Sequence, residues 1–146
     1  IDELSQLASA FVEKISSSFA DASYRGNSQL IRNALEYIHR NYDKKIALTG
    51  VAEILHINPS YLSMLFKQEV GLAFTDYVNN FRVVKSRDLL SRTNLSLGEI
   101  ASLTGFEDQS YFSKTFKRFN DTTPMTFRKN HKARNAAERQ YKLLDK

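Results

Sequence analysis

The segment Ser60-Tyr61-Leu62-Ser63, followed by Phe66-Lys67, recurs 50 residues later as Ser110-Tyr111-Phe112-Ser113, followed by Phe116-Lys117. Upstream, Val51-Ala52 matches Ile100-Ala101 at a spacing of 49. Downstream, Phe74 and Tyr77 match Pro124 and Phe127. A chain that repeats one order of apolar positions, turn and cap builds the same supersecondary unit twice. Each copy reads as a helix, a turn of three to four residues and a second helix. Ala52 and Ala101 are small, as a close helix crossing requires, and Ile57 and Phe106 plug the turn into the core. That combination is a helix-turn-helix.

The intervening pattern completes an all-α fold: two helix-turn-helix subdomains joined by a long linking helix, with an N-terminal helical arm. Ser28 is a candidate cap for a helix that carries Leu30, Ile31, Ala34, Leu35 and Ile38 on one face. Two short helices follow, about 49–55 and 59–69. Thr49 is the candidate cap of the first. Asn58 caps the second, with Pro59 at the first helical position, where its missing N–H costs little. Val70-Gly71 closes it. Phe74, Tyr77, Val78, Phe81 and Val84 mark the linking helix, about 74–91, and Arg92 to Leu95 form a polar turn. Ser96 and Glu99 make a capping box for a helix to Leu103. Gly105 turns the chain and Asp108 caps a helix to about Phe119. A last short helix runs from Pro124 to about Asn130. The domain divisions expected are 1–27, an arm or linker from an upstream domain, 28–130, the double helix-turn-helix, and 131–146, a basic tail. Ile1, Leu4, Ala8, Phe11 and Ile15 form a 3-4 seam suited equally to a homodimer contact through residues 1–20, which an upstream domain could supply instead, or to a helix that packs on an upstream domain.

The chain of 146 residues contains no cysteine, which excludes disulfide frameworks, thiolate zinc sites and thiol nucleophiles. No apolar run approaches the roughly 18 residues of a membrane span. The expected setting is the cytoplasm, as a piece of a longer protein, with no membrane partner. The net charge of +5 is uneven: −2 over 1–27, +4 over 28–130 and +3 over 131–146. A basic body carrying two helix-turn-helix units suits double-stranded DNA. A linking helix of 18 residues spans about 27 Å, which would set the two recognition helices roughly 34 Å apart, one turn of B-DNA.

The helical period separates core from contact positions. Leu62, Leu65 and Phe66 point inward on the first recognition helix, as do Phe112, Thr115, Phe116 and Phe119 on the second. The outward faces propose base contacts for Ser60, Ser63, Met64, Gln109, Ser113 and Lys114. Gln pairs with adenine edges, Lys with guanine N7 and O6, and Met with a thymine methyl. Lys67 and Lys117, a turn further on, are expected at phosphates, with Arg82, Lys85 and Arg92 of the linking helix. Lys44, Lys45, Arg87, Arg118 and Arg128 are secondary candidates, and the helix starts at Thr49 and Ser96 could offer N–H groups to phosphate.

Residues 31–129 resemble the DNA-binding domain of the AraC/XylS family of transcription regulators. The second unit carries the resemblance most fully, in Ile100-Ala101, the run from Gly105-Phe106-Glu107-Asp108-Gln109 through Ser110-Tyr111-Phe112-Ser113-Lys114-Thr115-Phe116-Lys117, then Pro124 and Phe127-Arg128. Asp121 stands where the family usually has glycine, and the family pattern does not cover the tail beyond His131. The resemblance implies a seven-helix, bilobed domain that follows a sensing or receiver domain. Gly71 to Tyr77 is most similar to members with a phosphorylatable receiver. It further implies transcription regulation, with activation as the expected mode and RNA polymerase as a candidate second partner.

No cofactor, metal site or catalytic residue is expected. Glu36 and His39 make half of a Glu-x-x-His motif without a second copy. There is no Gly-rich phosphate loop and no nucleophile elbow. The alternative function is a helical protein-interaction or dimerisation module with a basic face, which would not require two copies of a helix-turn-helix.

Overall fold

Two apolar clusters, one per repeat, organise the chain. The computed structural model describes residues 27–145. They form α1 (Asn27–Asn41), α2 (Leu48–Ile54), α3 (Pro59–Val70), α4 (Phe74–Arg92), α5 (Leu97–Leu103), α6 (Gln109–Asn120) and α7 (Pro124–Leu144), with no strand among the described residues. The seam over 1–20 lies outside the described residues. The first cluster joins Ile31, Leu35 and Ile38 of α1 to Val51, Leu62, Phe66, Tyr77 and Phe81. The second joins Val83 and Leu90 to Ile100, Phe106, Phe112, Phe116 and Phe119. Phe66 and Phe116, equivalent in the repeat, are both fully buried. Truncating either to alanine would cost about 3–5 kcal/mol.

The linking helix α4 belongs to both clusters. Phe74, Tyr77, Val78 and Phe81 enter the first, and Val83 and Leu90 the second. The changeover falls at Arg82. Because the helix is covered from two sides, it also buries Asn79, Asn80 and Ser86, which no single apolar stripe would mark.

The two units are built alike at the level of backbone hydrogen bonds. Ile57 N–H donates to Ala52 O at 3.0 Å, and Phe106 N–H to Ala101 O at 2.9 Å. His56 N–H donates to Glu53 O, and Gly105 N–H to Ser102 O. These bonds fold the turn back onto the small alanine of each first helix. His56 and Gly105 both have positive φ, 58° and 88°. At the ends of α3 and α6, Gly71 and Asp121 also have positive φ, 88° and 59°, and their N–H groups cap Lys67 O and Lys117 O.

Caps set the helix starts. The Asn58 side chain accepts from Ser60 N–H, Asp108 from Tyr111 N–H, and Ser96 and Glu99 form the expected capping box. Four local expectations are corrected. Ser28 lies inside α1 rather than before it. Thr49 lies inside α2, whose N-cap is Ala47 with no side-chain bond, because the helix starts one residue earlier at Leu48. The last helix does not stop near Asn130. It continues to Leu144, since Ala133, Ala136 and Ala137 favour helix and neither Gly nor Pro interrupts them. Arg92 likewise extends α4 instead of opening the turn.

Candidate nucleic-acid interface

Burial on the recognition helices follows the helical period. Leu62, Leu65, Phe66 and Val70 of α3 are buried, and so are Phe112, Thr115, Phe116 and Phe119 of α6. Opposite them, Ser60, Ser63, Met64 and Lys67 are exposed on α3, and Gln109, Lys114 and Lys117 on α6, with Ser113 half-buried. Met64 is 57% exposed and gives this face an apolar tip. At 50-residue spacing Ser60 matches Ser110, Ser63 matches Ser113, Met64 matches Lys114 and Lys67 matches Lys117. The same face is therefore presented twice, with different chemistry at one central position.

The basic residues divide by environment. Lys67, Lys114 and Lys117 stand free of the core. Lys85 is exposed, with its ammonium 5.3 Å from the Phe81 ring centre and 5.9 Å from that of Tyr42. Arg92 is exposed and lies 3.9 Å from Asp88. Arg87 is half-buried, which lowers its pKa, and reaches Asn120 Oδ1 at 3.4 Å. Arg128 donates through Nε to Leu90 O at 3.0 Å.

Arg82 departs from the expectation of a phosphate contact. It is 9% exposed, and its Nε and Nη2 donate to Tyr42 O and Lys44 O, each at 2.8 Å. Its guanidinium therefore faces the loop after α1, away from solvent. The Ser96 N–H is likewise engaged, by Glu99 Oε2 at 3.0 Å. A carboxylate already occupies that helix start, so it is a poor seat for phosphate.

Contacts between α4 and α6 were not foreseen from periodicity. Both ends of α6 reach α4, Tyr111 through Asn79 and Asn120 through Arg87. Asp76 pairs with Arg118 at 3.1 Å, Asn79 Nδ2 donates to the Tyr111 hydroxyl at 2.9 Å, and the Arg82 guanidinium carbon lies 6.0 Å from the Phe106 ring centre. The sequence signal for this seam is polar rather than apolar: Asp76, Asn79 and Arg82 recur every third residue. Tyr111, 47% exposed, is steered by its bond to Asn79.

A family model described as a helix-turn-helix domain matches residues 51–130, more than half of the chain. The solved C-terminal domain of AraT, a response regulator from Geobacillus stearothermophilus, superposes with a TM-score of 0.67 at 35% identity, over 69% of this chain and 84% of that one. The chain belongs to the AraC/XylS family of transcription regulators. Among AraC/XylS relatives, the Msm operon regulatory protein of Streptococcus mutans is 30% identical over 129 residues, 88% of this chain and 46% of that protein. The HTH-type transcriptional regulator YtdP of Bacillus subtilis is 32% identical over 109 residues, 75% of this chain and 14% of that protein. The chain thus spans less than half the length of these curated relatives. Within the AraC/XylS domain, the repeated recognition face and the α4–α6 seam are the features that bear on function.

Proposed function

We propose that this chain binds double-stranded DNA at specific sequence in transcription regulation, with α3 and α6 entering successive major-groove segments. The observation that carries the reading is the repeated exposed face: Ser60, Ser63, Met64 and Lys67 on α3 stand at the positions of Ser110, Ser113, Lys114 and Lys117 on α6. Ser60, Ser63, Met64, Gln109, Ser113 and Lys114 read base edges. Lys67, Lys117, Lys85 and Arg92 meet phosphates. A contact to RNA polymerase, activation of transcription, pairing of two copies through residues 1–20 or an upstream domain, and a cytoplasmic setting extend the same reading. The regulatory names of the relatives support it, and an interaction module with a basic face leaves the duplication without a purpose.

The test is salt dependence on duplexes selected by the protein from a randomised pool. Roughly six to ten phosphate contacts would lower affinity by about 10³–10⁵ between 50 and 200 mM salt. Failure to enrich any sequence, or binding indifferent to salt, would reject the reading.

A further inference from the structure

The place where the two lobes meet is built from three segments that approach closely at Arg82 and Gly105. Arg82 lies on α4 between Phe81, which enters the first core, and Val83, which enters the second. Its guanidinium holds the carbonyls of Tyr42 and Lys44, in the loop that follows α1. That loop belongs to the first lobe, since Tyr42 and Ile46 pack on its core. From the second lobe, the turn at Gly105 presses on the same loop. A Cβ at Gly105 would overlap the Tyr42 carbonyl oxygen and lie 2.9 Å from Arg82 Nε. His56, the equivalent residue of the first unit, is exposed and carries a side chain at a positive φ as well, 58° against 88°. The turn itself therefore tolerates a Cβ. Glycine is required at Gly105 by the approach of the other lobe.

We propose that Arg82 and Gly105 are positioning residues that lock the two helix-turn-helix units at one relative placement, and so restrict the protein to DNA sites with one spacing between half-sites. The inference rests on the DNA-binding reading. Each base pair inserted between half-sites moves one of them about 3.4 Å along the duplex and roughly 35° around it. A rigid pair of recognition helices cannot follow that screw motion. A loosened pair can, at the cost of a preset geometry.

Two readouts test this on the full chain. The first uses no DNA. Because the chain has no cysteine, spin labels can be placed through Gln68→Cys and Met125→Cys, at exposed positions of opposite lobes, and their distance distribution measured by pulsed electron resonance. The parent should give one narrow peak, and Arg82→Lys, Arg82→Ala and Gly105→Ala broader or shifted ones. Arg82→Lys keeps the charge but lacks the two-nitrogen fork that meets the two carbonyls, which covers the case in which Arg82→Ala fails to fold. The second readout is selection from a pool of randomised 40-base-pair duplexes. The parent should enrich two half-sites at a single spacing. The variants should enrich the same half-sites over several neighbouring spacings, with affinity for the parent spacing reduced about tenfold. Narrow, unshifted distances together with an unchanged single spacing in folded variants would overturn the lock. Broadened distances with spacing still single would overturn the link from lock to spacing. No enrichment by the parent would overturn the DNA reading, and the spacing claim with it, while the distance widths still decide whether the lock exists.

Discussion

Asp76, in the first turn of α4, pairs with Arg118, in the last turn of α6, at 3.1 Å. Both helix dipoles favour this arrangement, an acid near an N-terminus and a base near a C-terminus. Arg118 is thereby held at the end of a recognition helix with its charge partly neutralised. Asp76→Asn should cost little stability, about 0–1 kcal/mol for a pair this exposed. It should also tighten binding to a selected duplex, because Arg118 is released and one negative charge is removed. Thermal melting and binding titrations at one salt concentration check the two effects separately. Unchanged or weaker binding would place Arg118 away from the duplex.

Base and phosphate roles separate by sequence dependence. Gln109→Ala and Lys114→Ala should each relax preference at one or two base pairs, by about 1–3 kcal/mol for a bidentate contact. Lys67→Ala should weaken binding to all sequences alike and reduce the salt slope by about one phosphate. A panel of single-base duplex variants decides the matter. Equal profiles for the two classes would rule out the division.

The repeat made both units and all their caps but the one expected at Thr49 legible in advance, since Asn58, Asp108, Ser96 with Glu99, and Gly71 act locally and within reach of their own backbone. The recognition helices were legible too, because each is covered on one side only and its period survives. The extent and apolar positions of the linking helix were legible, but the roles of its polar residues were not. Arg82 and Lys85, three residues apart, read as one basic face, yet Arg82 turns into the lobe junction and Lys85 lies over Tyr42 and Phe81. A helix gripped from two sides has no single polar face, so period alone cannot sort its residues. Gly105 read as a turn former, and its closer constraint, the carbonyl of Tyr42, lies 63 positions away in sequence.

Gly71 and Asp121 close equivalent helices with the same left-handed geometry but opposite chemistry. Asp121, at φ 59°, carries a Cβ where glycine would be unstrained. Asp121→Gly should stabilise the fold by roughly 0.5 kcal/mol, the relief of strain being offset in part by the freer unfolded chain. Gly71→Ala should destabilise by about 1 kcal/mol. Chemical denaturation of both variants checks the opposite signs. Two losses of equal size would mean that the Asp121 carboxylate contributes more than its backbone strain costs.

His39 connects pH to stability. Its Nε2 lies 2.7 Å from the Tyr77 hydroxyl and its ring stacks on Phe81 at 4.5 Å. Burial, and secondarily the Lys85 ammonium, lower its pKa from 6.5 to about 4. Between those values the unfolded chain binds a proton that the folded chain does not. Stability contributed by the neutral ring is therefore present above pH 6.5 and lost as pH falls toward 4. The full gap corresponds to about 3 kcal/mol, and partial solvent access reduces the expected loss to roughly 1–2 kcal/mol. His39→Gln, which keeps a polar group near Tyr77 but cannot titrate, should remove most of this slope even if it lowers stability at neutral pH. Denaturation midpoints measured at half-unit intervals across the window would show the difference. Parallel curves for the parent and His39→Gln would assign the acid sensitivity to carboxylates instead.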